Sequence, residues 1–341
     1  MSPRVALLCA DAGIPWLGCG GASVHLRSLA AGYVAAGATV EAWVARLDPH
    51  PGRPSALTPP GVRVLEAPAS VSAWAQRQAA RFAPDLLHER HAARVGPDPA
   101  AGLHLVEVNA PLTWEAALFR GKRATRAKLD AELASLRRAA HVVVVSSALQ
   151  RWLATHDVAA HVLPNAVSTR SPASPPEGRF VLGFEGTFKA WHGLVASVAS
   201  LELLHAQVGP VEVELIGDGP ERQALQQALD ALSIPTRWLG ELDARRVATH
   251  RVRWSACWSP HAPWPPPGAA AVERALGRAL PERWFAPLKE AEAAAAGLPL
   301  WRSGPDLVPA GPPPRTWQEV GRGLLGLLAG RAELWDDGPR S

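Results

Sequence analysis

Arg4-Val5-Ala6-Leu7-Leu8-Cys9-Ala10 is a short apolar run; Gly13, Gly18, Gly20 and Gly21 follow it, and then Leu26, Leu29, Ala30, Tyr33 and Val34 recur at helical spacing. An apolar run of this length bounded by glycines reads as a buried strand, so the segment predicts strand, glycine loop, helix. Gly37 stands where a left-handed helix stop belongs, and Val40 to Val44 predicts the next strand, which completes a βαβ unit. Val142 to Val145, ending in Ser146 and Ser147, has the β-branched composition of a parallel strand buried on both faces. His161 to Leu163, closed by Pro164 and Asn165, predicts another.

Between Ser168 and Gly178 the chain reads Ser-Thr-Arg-Ser-Pro-Ala-Ser-Pro-Pro-Glu-Gly, too polar and proline-rich to anchor in a core. The pattern then restarts, with strands predicted at Phe180 to Phe184 and Val211 to Ile216. Helices are marked by Leu194, Val198 and Leu201, and by Leu225, Ala228, Leu229 and Leu232. The expected class is therefore α/β, with two Rossmann-like doubly wound domains facing a cleft. The divisions fall at 1–168, a linker at 169–178, and 179–341. Ligands of such sheets bind beyond the carboxyl ends of the strands.

Composition agrees with two domains and removes several function classes. The chain has 341 residues, of which 48% are hydrophobic and 19% charged. The net charge of +4 is spread along the chain, which argues against a dedicated nucleic-acid binder. Cys9, Cys19 and Cys257 form neither a C-x-x-C pair nor a ligand cluster, so a disulfide framework and structural zinc are disfavoured and a reducing cytoplasm fits. No apolar stretch approaches the roughly 20 residues that cross a bilayer.

Several loops carry candidate chemistry. Gly18-Cys19-Gly20-Gly21-Ala22-Ser23 leads into a helix whose first N–H groups form a ready anion site, although Ser23 breaks the dinucleotide pattern G-x-G-x-x-G, and a plain tight turn is equally open. Gly217-Asp218-Gly219-Pro220 predicts a turn with Pro220 at the first helical position and Asp218 as its cap. Gly186-Thr187-Phe188-Lys189-Ala190-Trp191-His192-Gly193 also joins a strand to a helix. The sharpest feature is Pro287-Leu288-Lys289-Glu290-Ala291-Glu292 running to Gly297: proline starts a helix, glycine ends it, and the N–H groups near Leu288 and Lys289 face outward at its positive end. Lys289 and Glu292 lie three apart, which suits a diphosphate and a ribose diol, or else an ordinary ion pair on a solvated face. The basic run Arg120, Lys122, Arg123, Arg126 and Lys128 predicts a solvated helix face, with contact to acidic phospholipid as the minority reading.

In this order, together with His88-Glu89-Arg90, Glu107-Val108-Asn109-Ala110-Pro111-Leu112 and Leu163-Pro164-Asn165-Ala166-Val167, these segments resemble the retaining GT-B glycosyltransferases of the family 4 type. The resemblance implies that Gly20, Gly21, Gly186, Gly217, Asp218, Gly219, Leu288 and Glu292 bind a nucleotide-sugar donor, Glu292 through the ribose hydroxyls. It implies that Lys189, His192 and Lys289 neutralise the leaving diphosphate, and that His25 and Asn109 face the transferred sugar or the acceptor. No metal and no other cofactor is implied. The implied activity is transfer of a sugar from a UDP- or GDP-linked donor to an unidentified acceptor such as a polysaccharide or glycolipid precursor, in the cytoplasm or at the inner membrane face. The sequence departs from the family at Trp284, where many members carry the first of two glutamates, and a long final helix crossing back to the first domain is not expected. Those departures motivate one alternative, a GT-B pseudoenzyme that binds nucleotide or a partner. A nucleotide-sugar epimerase is a further alternative.

Overall fold

The computed structural model describes residues 1–49, 51–68, 71–92, 102–304, 306–309 and 311–331. The first sheet holds β1 (Arg4–Cys9), β2 (Thr39–Val44), β3 (Val62–Glu66), β4 (Leu86–Arg90), β5 (Leu103–Val108), β6 (His141–Val144) and β7 (His161–Val162). All its pairings are parallel, in the order β3-β2-β1-β4-β5-β6-β7. The second sheet holds β8 (Phe180–Glu185), β9 (Val211–Ile216), β10 (Thr236–Gly240), β11 (Ala256–Trp258), β12 (Leu300–Trp301) and β13 (Leu307–Val308). Its order, β10-β9-β8-β11-β12-β13, repeats the doubly wound plan, and only β13 runs antiparallel. In each sheet the strand order reverses beside the first strand, so a crevice opens beyond the carboxyl ends of β1 and β8.

The helices are α1 (Gly21–Ala35), α2 (Val71–Phe82), α3 (Leu112–Phe119), α4 (Arg126–Leu136), α5 (Ser147–Ala154), α6 (Leu194–Ser197), α7 (Leu201–Val208), α8 (Arg222–Ala231), α9 (Ala244–Arg251), α10 (Ala269–Leu276), α11 (Leu288–Ala296) and α12 (Trp317–Gly326). Among the described residues no helix is long and apolar enough to cross a membrane.

Three expectations are corrected. α8 begins at Arg222, two residues beyond Pro220, and Asp218 caps no helix: its carboxylate accepts the N–H of Gly219. The basic run is no single helix face, because α3 ends at Phe119 and α4 starts only at Arg126, which puts Arg120, Lys122 and Arg123 on an exposed connection. Third, a helix does cross back. Thr316 and Glu319 form a capping box that starts α12, and Trp317, Val320 and Leu324 are buried in the core of the first domain with Leu26, Leu29 and Tyr33 of α1.

The crossing helix can seat only because glycines meet there. A Cβ on Gly321 would stand 2.6 Å from the carbonyl oxygen of Gly32, and one on Gly32 would stand 2.2 Å from that of Trp317. Both obstacles are backbone and cannot swing aside. Alanine gains about 1 kcal/mol of helix propensity over glycine, but overpacking costs about 1–3 kcal/mol. We therefore expect Gly321→Ala to destabilise the protein in a denaturant titration. Gly326→Ala on the same helix, where a Cβ meets nothing closer than 3.7 Å, should be neutral or stabilising.

A second bridge joins the domains. Trp284, fully buried, and Leu276 of α10 pack into the same core as Trp114, Leu149 and Trp152 of the first domain. Around Trp284 stand Trp264 at 5.0 Å, Phe285 at 5.3 Å and Phe119 of α3 at 6.3 Å between ring centroids. The aromatic at position 284 is thus an interdomain wedge, with its burial as its physical reason.

Candidate functional site

A cavity of about 580 Å³ lies between the carboxyl ends of the two sheets. One wall is the loop before α1, with Cys19, Gly20 and Gly21. The opposite wall carries Glu185, Gly186, His192, Gly217, Arg251, Leu288, Lys289 and Glu292. Ser168, Thr169 and Ser171 of the connecting segment close one side. That segment is strapped down, since the N–H groups of Ala173 and Ser174 donate to the carbonyls of Ala296 and Val252.

Two glycine loops interlock at the floor. A Cβ on Gly217 would fall 1.9 Å from the carbonyl oxygen of Gly186, and one on Gly219 would fall 2.6 Å from the nitrogen of Phe188. These glycines are explained by loop-on-loop packing, and only Gly217 of the two also lines the cavity.

α11 has the expected limits, with Pro287 in extended conformation ahead of Leu288 and Gly297 left-handed at its end. Its first N–H groups open at the cavity, beside the ammonium of Lys289. That ammonium lies 3.9 Å over the ring of Phe184 and 3.5 Å from His192 Nδ1. Burial pulls the lysine down to about 8, against the opposing pull of Cys257, Glu185 and Glu290. Burial first, then Lys289, His261 and Lys189, pushes His192 down to about 2. His192 is therefore a neutral imidazole whose Nδ1 accepts from Lys289, leaving Nε2–H as a donor. The cation of the pair is Lys289.

Glu292 lines the cavity but is not free. Arg251 Nη1 donates to it at 2.9 Å, while Nη2 donates to both oxygens of Glu185 at 2.8 and 2.7 Å. Burial raises Glu292, and Arg251 works against that rise. Burial likewise works against the charge on Arg251, but Glu185 and Glu292 outweigh it and hold the guanidinium above its ordinary range. On the outer side of α11, Glu290 accepts from Ser259 Oγ at 2.7 Å and Arg302 at 2.7 Å, and lies 3.2 Å from His261. Burial alone would raise Glu290, but His261, Ser259 and Arg302 hold it down at about 2. This anchors the first turn of α11 to the end of β11.

The remaining sequence candidates lie elsewhere. Lys189 does not line the cavity; its ammonium sits 4.6 Å over the ring of Trp191. Asp218 and Gly219 lie behind the wall. His25 is buried with both ring nitrogens engaged, 3.0 Å from Asn165 Oδ1 and 3.0 Å from Glu107, and does not line the cavity. Asn109 donates to the same Glu107 carboxylate. Among the described residues no three His, Cys, Asp or Glu side chains converge as metal ligands. Sequence reading missed Glu185 and Arg251, which meet only in the fold.

Residues 19–171 match the family model described as Glycosyltransferase Family 4. No curated protein sequence matches the chain. Among solved structures, sucrose-phosphate synthase from Thermosynechococcus elongatus is similar at 17% identity with a TM-score of 0.65, covering 87% of this chain and 80% of that one. WaaG, a glycosyltransferase involved in lipopolysaccharide biosynthesis, is similar at 12% identity with a TM-score of 0.59, covering 97% and 91%. HepE of Anabaena, solved in complex with UDP and glucose, is similar at 14% identity with a TM-score of 0.55, covering 97% and 91%. The family match covers residues 19–171, and over nearly its whole length the chain has the GT-B fold of these glycosyltransferase structures.

Proposed function

We propose that the chain is a retaining glycosyltransferase that takes a UDP- or GDP-linked sugar into the interdomain cavity and passes the sugar to an acceptor, for which a polysaccharide or glycolipid precursor is the candidate class. One observation carries this: the start of α11, Lys289 Nζ, His192 and Glu292 converge on one cavity that Gly20 and Gly21 close from the other domain. The binding of UDP and glucose by HepE supports the same assignment. In this proposal Glu292 takes the ribose hydroxyls. The N–H groups of Leu288 and Lys289 and the lysine ammonium take the diphosphate, as a positive helix end would. Breaking the glycosidic bond builds negative charge on the leaving diphosphate, and prearranged donors at that point lower the barrier. No metal ion is part of the proposal.

The test is incubation with UDP- and GDP-sugars, with and without candidate acceptors, followed by NMR of the released or transferred sugar. Donor consumption with unchanged anomeric configuration is expected. Binding of nucleotide with no consumption of any donor would favour the pseudoenzyme, which the replacement of a glutamate by the buried Trp284 motivates. Release of a free epimerised sugar would favour an epimerase.

The lysine gives the site a pH signature of two opposite signs. The unfolded chain keeps the Lys289 proton up to the ordinary lysine value of 10.5, whereas the folded protein loses it near 8. Between those values the unfolded state binds more protons, so the free protein gains stability as pH rises. Diphosphate needs the charged form, so affinity should fall as pH rises through about 8. Calorimetric titrations at pH 7 and pH 9 should show tighter binding at pH 7. Equal affinities would remove Lys289 from the diphosphate site.

The exposed cations Lys122 and Arg123, beside Arg126, are our candidate contact with acidic lipid. Cosedimentation with phosphatidylglycerol vesicles, lost in a Lys122→Ala/Arg123→Ala variant, is expected. Equal sedimentation of the two proteins would exclude the contact.

A further inference from the structure

Pro287, ahead of α11, has no N–H and offers no side-chain cap, so the helix start is held from outside, on one side by the ties of Glu290 to Ser259, His261 and Arg302. Two side chains of the first domain hold the segment before it. Ser146 Oγ donates to the carbonyl of Trp284 at 3.0 Å, and Asn165 Nδ2 donates to the carbonyl of Ala286 at 2.7 Å. Ala286 lies immediately before Pro287 and two residues before Leu288. Its carbonyl is thus the fixed point on the N-terminal side of the N–H groups assigned to the diphosphate, as Glu290 is on the other.

The amide of Asn165 is itself fixed from behind. Because Nδ2 faces a carbonyl, Oδ1 is the atom turned to His25 Nδ1, 3.0 Å away, and that nitrogen must donate. The other ring nitrogen lies 3.0 Å from the buried carboxylate of Glu107. Glu107 also accepts from Asn109 and from Arg90 at 3.3 Å. Burial would raise Glu107, but His25 and His88 outweigh it and keep the carboxylate well below its usual range. Trp317 of α12 packs edge-on against His25 at 4.7 Å between centroids. Donation from His25 to Asn165 and from Asn165 to Ala286 needs hydrogen on Nδ1, and the contact with the Glu107 carboxylate needs hydrogen on Nε2, so the chain is complete when both ring nitrogens carry hydrogen. Neither Glu107, His25, Asn165 nor Ala286 lines the cavity.

We propose that Asn165 is a positioning residue for the diphosphate subsite: backed by His25 and Glu107, it sets the place of the Ala286 carbonyl and with it the presentation of the α11 start and Lys289 to the ligand. The proposal rests on the donor-site assignment above, but it makes a narrower claim, because a shift of the helix start acts on the diphosphate first, whereas Glu292, one turn further on, is held by Arg251. A role confined to joining the domains would affect all nucleotides alike.

Asn165→Asp separates the two. It keeps size and the oxygen facing His25 but replaces the donor to Ala286 with an acceptor. UDP and UMP, and GDP and GMP, are titrated calorimetrically into wild-type and variant protein. The expected result is that the diphosphate-to-monophosphate affinity ratio of whichever base binds falls about tenfold, the scale of one hydrogen bond lost, while the monophosphate affinity changes little. An unchanged ratio, whether both affinities fall together or neither falls, overturns the proposal and leaves the donor site standing. Failure of the wild-type protein to bind any of the four overturns the donor site itself. His25→Gln, read in the same way, attacks the chain from its other end. If neither variant yields folded protein, the chain is a determinant of folding and the proposal is overturned.

Discussion

Lys289→Met should weaken nucleoside diphosphate binding by about 10- to 150-fold, corresponding to about 1.5–3 kcal/mol for hydrogen bonds to a charged group, while leaving the thermal midpoint unchanged or higher. The two halves of this expectation have one cause. Lys289 is 6% exposed, and burial pulls it down to about 8, so the folded protein holds an ammonium it would rather not hold. Its neighbours in the free protein are a ring face at 3.9 Å and a neutral imidazole at 3.5 Å, which recover only part of the lost hydration. Methionine fills the space without the charge. A residue that costs stability and sits at a positive helix end is what a diphosphate site requires. A parallel loss of stability and affinity would show instead that Lys289 is a packing residue.

Arg251→Met should be the most damaging single change in the cavity, costing about 3–5 kcal/mol in a denaturant titration at neutral pH, as expected when one partner of a buried ionic cluster is removed. Glu185 and Glu292 would be left facing one another without the guanidinium that now bonds both. Two such carboxylates take up protons more readily than they do in the unfolded chain. The variant should therefore recover stability as pH falls from 7 toward 5, where protonation removes the repulsion. Adding Glu185→Gln and Glu292→Gln should restore much of the loss at pH 7, because replacing a whole buried cluster is far milder than breaking it. If Arg251→Met is neutral, the cluster is solvated and does not hold Glu292 in place.

What could be read in advance was local. The strand, glycine loop and helix at the front, and the helix between Pro287 and Gly297, declare themselves through runs, spacing and stop residues within a few positions of each other. α8 starts later than Pro220 predicts, because that proline, favoured at a first helical position, here belongs to the turn that Gly217 and Gly219 fold against Gly186 and Phe188. The Glu185–Arg251 pair spans 66 residues, and no periodicity links the end of a strand to the end of a helix in another βα unit. The partners of His25, Glu107 and Asn165, come from 82 and 140 residues away, a separation that no local spacing announces. The crossing helix is the element least legible in the sequence. Its capping box at Thr316 and Glu319 was there to be seen, but the surface that receives it depends on Gly32, which in sequence is only a small residue inside a helix.

Binding of a nucleoside diphosphate through the start of α11 is what the function proposed for this cavity requires. Its most direct test is calorimetric titration of the folded wild-type protein with UDP, GDP, ADP and TDP. Saturable binding of UDP or GDP in preference to the others, weakened by Lys289→Met and by Glu292→Ala, is the predicted result. No binding of any of the four, in protein shown to be folded, would contradict it and leave the GT-B fold serving another purpose.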